Sequence, residues 1–320
     1  MSDDRQTLAR STWALLLVLT LGWGCNWPMV KLALAELPVW AFRSLCVVAG
    51  AAGLFVIARV TGLPMLPPRE HWPRLIWVSL FNVTAWNILT AYGLTLLPAG
   101  RSAILAYTMP LWVALLSIPL LRERLTPQRL LGLLLGMSGM LLLLSDEWAS
   151  LRATPVGALL MVGAAVSWAL GSVLIKRFPT ALPTISFTAW QLLLGGLPIL
   201  VGTAVFETGT LSPLSWQASL ALAYNIVIAF VLCYWVWFRI VTRAPLMASS
   251  LGTLAIPVVG VFSSALVLGE RPDWREYLAL LLVLTSIATV IFPVRADTGP
   301  RRDGHRAARK TGLPKDPSSL

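Results

Sequence analysis

A pattern of residues that occurs twice, 147 positions apart, constrains the fold of this chain more than any other feature. Glu123 and Arg124 in the first occurrence correspond to Glu270 and Arg271 in the second, and a leucine-rich, apolar stretch follows each pair. The same spacing relates two pairs of prolines, Pro98 with Pro245 and Pro110 with Pro257. A spacing shared by acidic, basic and proline positions indicates an internal duplication, so the chain consists of two related halves.

Long apolar stretches fill both halves. Hydrophobic residues make up 57% of the chain and charged residues 12%, which is more apolar surface than a soluble domain of this length can bury. Each stretch is long enough to cross a bilayer core of about 30 Å. The sequence therefore predicts an all-α polytopic membrane protein with ten transmembrane helices, at about 11–30, 38–58, 75–97, 102–121, 128–145, 155–175, 184–206, 216–238, 245–268 and 276–293.

The loop charges predict how these helices are oriented. With the N-terminus inside, the inner loops and the tail hold 19 Lys and Arg residues and the outer loops hold 5. This bias predicts that both termini are cytoplasmic. Five helices in each half is an odd number, so the two halves lie in the membrane with opposite orientation. Such an inverted repeat is typical of transporters that work by alternating access.

Four regions follow from this reading. They are a cytoplasmic N-terminus at 1–10, a first five-helix repeat at 11–148, a second at 149–293 and a basic cytoplasmic tail at 294–320. The tail is rich in Arg, Gly, Pro and Ser, which predicts disorder and contact with anionic lipid headgroups. The net charge of +11 lies in loops and tail rather than on one binding face, so it does not indicate a nucleic-acid partner.

The sequence predicts neither an enzyme nor a cofactor. Cys25, Cys46 and Cys233 are scattered through apolar stretches without the spacing of a disulfide framework or a metal site, and both histidines lie in predicted loops. No cluster of catalytic residue types occurs at membrane depth. The loops are also too short for an ATP-binding domain, so primary pumping by this chain is excluded.

Five motifs distributed over both halves carry a family resemblance: G-W-G-C-N-W-P-M-V-K at 22–31, F-R at 42–43, E-R-L-T-P-Q-R-L-L-G at 123–132, S-W-A-L-G-S-V-L-I-K at 167–176 and P-V-V-G-V-F-S-S-A-L-V-L-G-E at 257–270. Together they resemble EamA-type transporters of the drug/metabolite transporter superfamily. The resemblance implies a ten-helix inverted-repeat carrier of the bacterial inner membrane that exports amino acids, other small metabolites or drugs. The alternative is a lipid-linked substrate carrier or flippase, which needs a groove open to lipid.

Aromatic and polar side chains at membrane depth are candidates for a substrate cavity. Trp23 and Asn26 share one face of the first helix, and Trp168 and Ser172 form the matching face in the second half. Packing, interhelical hydrogen bonds or a lipid-facing belt are the alternative roles for such residues. The candidates are Trp23, Asn26, Asn82, Trp86, Asn87, Tyr107, Trp168, Ser172, Asn225 and Tyr234, with Trp27, Thr90 and Gln191 as further residues to which both readings apply.

Three basic residues are candidates for gating or charge recognition. Arg43 lies within a predicted helix, where a charge marks a functional hypothesis, and the alternatives are substrate carboxylate binding and a structural role. Because it is about one turn from the outer end of that helix, it can also reach the interface or bond a carbonyl of a neighbouring helix. Lys31 and Lys176 each follow a tryptophan by eight residues and lie at opposite membrane faces. They can extend to lipid headgroups, form ion pairs at a gate or attract anionic substrates.

No Asp, Glu or His lies deep within a predicted span. A carrier that binds a coupling proton on a buried carboxylate would be expected to contain one. The sequence therefore predicts facilitated diffusion, exchange, or coupling through the substrate's own charge.

Overall fold

The computed structural model of the protein describes residues 3–121, 127–149, 155–178, 182–207, 209, 212–236 and 246–291, and this part of the chain contains helices and no strands. A short 3₁₀ turn, Arg69–His71, precedes the fourth helix. In chain order the α-helices are α1 (Asp3–Gly24), α2 (Asn26–Leu34), α3 (Val39–Val60), α4 (Trp72–Ser79), α5 (Trp86–Leu96), α6 (Ala99–Ala106), α7 (Met109–Leu121), α8 (Pro127–Ala149), α9 (Val156–Arg177), α10 (Thr184–Phe206), α11 (Trp216–Tyr224), α12 (Leu246–Leu268) and α13 (Trp274–Ile291).

Several of these helices join into segments that can cross a membrane. In the described residues, seven segments have the required length and apolar character: Ala14–Leu34, Val39–Val60, Arg69–Leu96, Ala99–Leu121, Val156–Ile175, Thr184–Phe206 and Trp216–Val236. Shorter apolar stretches, Leu130–Gly139 and Ile256–Leu268, lie in α8 and α12. The structure thus confirms an all-helical, multi-pass membrane protein, and the total of ten spans stays a prediction.

Prolines coincide with two interruptions in the first half of the chain. α1 ends and α2 begins at Cys25, three residues before Pro28. Because proline has no N–H, the carbonyl of Gly24 lacks its usual helical donor. The Ser263 hydroxyl lies 3.4 Å from this oxygen and donates to it from α12. A similar break separates α6 from α7 just before Pro110.

Pro198 and Pro257 also lie inside predicted spans, where a proline indicates either a kink or an interruption of the helix. α10 continues past Pro198, and α12 continues past Pro257, without a break in either helix. An interruption is therefore present in the first half and not at these two prolines, where a kink stays a prediction. Since transmembrane helices tolerate proline where neighbouring groups satisfy the freed carbonyl, a proline alone does not fix where a helix ends.

Two π-helical segments occupy equivalent positions in the two halves. Leu80–Ala85 links α4 to α5, and Asn225–Cys233 follows α11, with starting residues 145 positions apart. The Ser167 hydroxyl donates to the Phe81 carbonyl (2.7 Å). In the other segment, the Trp23 indole donates to the Ala229 carbonyl (3.2 Å). Each irregular segment is therefore held by a side chain from the opposite half.

The two halves of the molecule are interleaved rather than side by side. The most extensive helix pairings are α8 with α13, α3 with α10, α5 with α9, α7 with α9 and α1 with α12, and each joins the first half to the second. In lipid, such pairings depend on close approach at small residues. Gly195 of α10 illustrates this, because an added Cβ would lie 2.6 Å from the carbonyl oxygen of Ser79. The core of the molecule therefore lies at the interface between the halves.

Gly171 of α9 supplies a test of this packing. A Cβ at this position would lie 1.9 Å from Oδ1 of Asn82, whereas a Cβ at Gly163 of the same helix would make only an ordinary contact, 3.6 Å from Leu89. We expect Gly171→Ala to lower the free energy of unfolding by about 1–3 kcal/mol through overpacking. Gly163→Ala should leave it unchanged or raise it slightly, because alanine favours helix.

The measurement is thermal unfolding of both purified variants in the same detergent, followed by intrinsic fluorescence. Equal melting temperatures for Gly171→Ala and Gly163→Ala would contradict the close α9 crossing.

Candidate functional site

Two adjoining cavities lie between the halves. The Arg43 cavity has a volume of about 100 Å³ and is named after the charged residue in its wall. The Asn82 cavity has a volume of about 290 Å³ and contains Asn82 in its wall. Trp23, Trp168 and Tyr234 line both cavities. Because Trp23 belongs to the first half and the other two to the second, the shared wall is built across the duplication.

Aromatic pairs form much of this wall. Trp23 and Tyr234 meet edge to face, with ring centroids 5.7 Å apart. Trp86 and Trp168 are 5.0 Å apart and tilted at 56°. Such offset arrangements stabilise one another and leave flat apolar faces. The hydrogen bond from the Trp23 indole to Ala229 also fixes the orientation of that ring.

The polar part of the Arg43 cavity is centred on a buried guanidinium. Arg43 is only 4% exposed. Its Nε donates to the carbonyl of Asn87 (3.1 Å), and its Nη2 donates to the hydroxyl of Thr90 (3.2 Å). The Asn87 amide in turn donates to the carbonyl of Val83 (2.8 Å). These bonds link the end of the first π-helical segment to α3 and hold the guanidinium in place.

The Asn82 cavity has a neutral polar lining. The Asn82 amide donates to Oε1 of Gln191 (3.4 Å), and the Ser172 hydroxyl donates to the carbonyl of Trp168 (2.8 Å). Oδ1 of Asn82 and Oγ1 of Thr188 are buried, and in the described part of the chain neither has a hydrogen-bond partner. Buried polar atoms are usually paired in folded proteins. Oδ1 of Asn82 packs against Gly171 of α9, so the polar lining of this cavity includes the amides of Asn82 and Gln191 and the hydroxyls of Ser172 and Thr188.

Nine of the ten predicted cavity residues line one or both cavities. The Arg43 cavity is lined by Trp23, Asn26, Trp86, Asn87, Tyr107, Trp168 and Tyr234. The Asn82 cavity adds Asn82 and Ser172. Asn225 lines neither, because it is fully buried in the second π-helical segment and its amide donates to the carbonyl of Ala221 (3.1 Å). Contact of these residues with a substrate stays a prediction.

The structure adds residues that were not among those ten. Thr90 and Trp27 line the Arg43 cavity, and Gln191 and Thr188 line the Asn82 cavity. The sequence placed Trp27 on the same helical face as Trp23, so that pattern already indicated it. Thr188 carried no signal in the sequence, since a threonine inside an apolar helix has no pattern that sets it apart.

Lys31 lies at one end of the molecule, outside both cavities. Its Nζ is 3.9 Å from Oε1 of Glu270, and it also donates to the carbonyl of Leu97. The same carboxylate accepts hydrogen bonds from the backbone N–H groups of Ala99 (2.7 Å) and Gly100 (3.0 Å), where α6 begins. The sequence left three roles open for Lys31: contact with lipid headgroups, an ion pair and attraction of anionic substrates. The structure shows an ion pair, with Glu270. The side chain of Lys176 lies outside the described residues.

Two further glutamates bridge the halves at this end. Glu207 accepts hydrogen bonds from the N–H groups of Trp40 (3.0 Å) and Ala41 (2.7 Å), at the start of α3. Glu36 accepts from the hydroxyl of Ser215 and from its N–H (2.7 Å), at the start of α11, and these bonds lower the pKa of the Glu36 carboxyl. Carboxylates are favoured at helix N-termini, whose N–H groups are unsatisfied. This end of the molecule is therefore closed by carboxylates bound to helix starts.

A helical membrane protein with a cavity between two duplicated halves belongs to the class of carriers. The EamA-like transporter family matches the sequence twice, at residues 11–145 and 155–292, so the chain belongs to the EamA-like transporter family. The double match agrees with the internal duplication and confirms the resemblance carried by the five motifs.

Proteins of similar sequence are also named as transporters. The Bacillus subtilis protein "Uncharacterized transporter YvbV" is 30% identical over 286 residues, which are 88% of this chain and 92% of that protein. The Escherichia coli protein "Probable amino-acid metabolite efflux pump" is 24% identical over 312 residues, 90% and 97% of the two chains. A solved crystal structure that is 22% identical covers 88% of this chain and 96% of its own, with a TM-score of 0.65, and supports the fold alone. The protein is a membrane transporter, and its family and named relatives are transporters rather than enzymes.

Ser172 allows the Asn82 cavity to be tested for access to water. Its hydroxyl bonds the carbonyl four residues earlier, as does that of Ser264, which is fully buried and lines neither cavity. We expect Ser172→Cys to react roughly tenfold faster with N-ethylmaleimide than Ser264→Cys, because the reactive thiolate requires hydration. The reaction is followed by mass spectrometry in a background where Cys25, Cys46 and Cys233 are replaced by alanine. Equal rates would show that the cavity is closed to solvent.

Proposed function

We propose that the protein is an inner-membrane secondary transporter that exports amino acids or other small metabolites or drugs. In this proposal it has ten spans arranged as two inverted five-helix repeats, and it works by alternating access. The observation that carries the proposal is the pair of cavities whose shared wall, Trp23, Trp168 and Tyr234, is drawn from both halves. A site between inverted repeats becomes accessible from either side as the repeats rock against each other.

The charge of the loops assigns the two ends of the molecule to opposite sides of the membrane. With both termini in the cytoplasm, the end closed by Glu36, Glu207 and Glu270 faces outward. The Asn82 cavity extends to Ile175 and Thr184, close to the basic, cytoplasmic end of α9. This arrangement fits a carrier that loads its substrate from the cytoplasm.

The closed end is held by contacts that can be exchanged for water. At the start of α3 and of α6, a carboxylate from the opposite half accepts two backbone hydrogen bonds. Such bonds contribute about 1 kcal/mol each in net terms, because water satisfies the same groups once they separate. At these two helix starts the outward end can therefore open without leaving a carboxylate unpaired, whereas the largely buried ion pair between Arg101 and Glu276 (3.1 Å) also joins the halves and has to separate.

The cavity walls also bear on energy coupling. Within the described parts of the chain, no Asp, Glu or His lines either cavity. A proton-coupled cycle on a buried carboxylate therefore has no group to use at this site. Facilitated diffusion, exchange, or coupling through the charge of the substrate are the modes that we propose.

Counterflow in proteoliposomes tests the function. The purified protein is reconstituted and loaded with one member of a panel of amino acids, aromatic carboxylates, purines and aromatic cations, and uptake of the labelled compound is followed. We expect the wild type to exchange one class and Trp168→Ala to lose at least about tenfold of that rate, since a stacking wall shared by both cavities is removed.

Trp216→Ala is the matched control for this experiment, because Trp216 is 70% exposed and lines neither cavity. It should exchange at the wild-type rate. If the folded wild type exchanges none of the soluble compounds, metabolite export is contradicted. The alternative of a lipid-linked carrier or flippase is then tested by measuring movement of labelled lipid across the membrane of the same vesicles.

A further inference from the structure

The Arg43 cavity carries charge of a single sign. Within the described residues that line it, Arg43 is the only side chain with a formal charge. Among the described residues, no ion pair joins Arg43 to a carboxylate. The positive charge is therefore not balanced by a neighbouring carboxylate.

Neutral groups hold this guanidinium without neutralising it. Two of its five N–H groups donate to the Asn87 carbonyl and the Thr90 hydroxyl, and the ring of Phe42 lies 5.0 Å from the guanidinium carbon. The Nη1 amino group has no acceptor in the described part of the chain. An unbalanced charge at membrane depth is costly, and a bound anion offsets that cost. The planar fork of the guanidinium also matches the two oxygens of a carboxylate.

The rest of the cavity is suited to a flat apolar group. Trp23, Trp86, Trp168, Phe230 and Tyr234 line it, so aromatic side chains form much of its wall. Oδ1 of Asn26 is the lining atom that we consider as an acceptor for an ammonium group, because it is buried and has no hydrogen-bond partner in the described residues. A neutral amide cannot balance an ammonium charge that lies near a guanidinium of the same sign.

From these features we propose that the Arg43 cavity selects substrates that carry one anionic group, a carboxylate, on a flat apolar body. Zwitterionic amino acids and cations bind less well there, because their ammonium group meets Arg43 and no acidic partner. This inference rests on the proposed transport function and specifies the substrate class for the same site. The adjoining Asn82 cavity gives such a substrate a neutral polar path toward the other end of the molecule.

Three compounds that share a phenylethyl skeleton test the charge preference. They are 3-phenylpropionate, phenylalanine and phenethylamine, which are an anion, a zwitterion and a cation at neutral pH. Binding is measured by calorimetry on the full chain in lipid nanodiscs, so that passive permeation of the weak acid does not interfere. We expect 3-phenylpropionate to bind at least about tenfold more tightly than phenylalanine, and phenethylamine to bind most weakly.

Substitutions within α3 assign the preference to Arg43. Arg43→Met should abolish the advantage of 3-phenylpropionate, and Arg43→Lys should retain part of it, because lysine keeps the charge and loses the planar fork. Arg59→Met removes one exposed positive charge from the last turn of the same helix and should change nothing. Melting temperatures of all three variants show whether each is folded.

Several outcomes would overturn the inference. Phenylalanine or phenethylamine binding as tightly as 3-phenylpropionate, or an unchanged preference in folded Arg43→Met, would show that Arg43 does not select the substrate. Absence of 3-phenylpropionate binding, while counterflow of another class proceeds, would reject this substrate class and leave the transport function standing. Failure of counterflow with every compound would instead remove the transport proposal itself.

Discussion

The rest of the structure depends on the requirement that backbone N–H and C=O groups inside a membrane find partners within the protein. Regular helices meet this requirement alone, but this chain departs from regular helix at several positions. At three of them the partner comes from the opposite half: Ser263 reaches Gly24, Ser167 reaches Phe81 and Trp23 reaches Ala229. Irregular backbone is thus confined to the interface between the halves, which is also where the cavities lie. Irregular segments of this kind often occur at functional sites.

The same principle governs the charges. The glutamates at the closed end are bound to the free N–H groups of helix starts, where a carboxylate is favoured and where water can replace the contact. Arg43 is in a different situation, because it lies inside the protein and bonds neutral groups only among the described residues. The carboxylates at helix starts can therefore exchange their partners for water, whereas the charge in the cavity is held in place inside the protein.

Much of the architecture could be predicted from the sequence because its causes are local or repeated. Apolar length identifies spans, and the recurrence of Glu123 and Arg124 as Glu270 and Arg271 identifies the duplication. Helical spacing from Trp23 and its counterpart Trp168 selected Asn26 and Ser172, and all four residues line the cavities. Their contact with a substrate is still a prediction.

The remaining features depend on contacts between distant residues. Asn225 is fully buried in a π-helical segment, where its amide donates to the Ala221 carbonyl, and its residue type alone did not distinguish it from the asparagines that line the cavities. The partner of Lys31 is Glu270, and only the folded interface brings the two together. Sequence periodicity predicts each helix separately, and it does not predict which residues of distant helices come into contact.

Alternating access is the central claim, and the distance between the halves at the closed end tests it most directly. Spin labels at positions 35 and 216, exposed neighbours of the contact between Glu36 and Ser215, report this distance by pulsed electron resonance in lipid nanodiscs. We predict a short distance without substrate and a second, longer population that grows when a transported substrate is added. A single short distance under conditions in which the same labelled protein catalyses counterflow would contradict opening at this end, and with it the proposed mechanism.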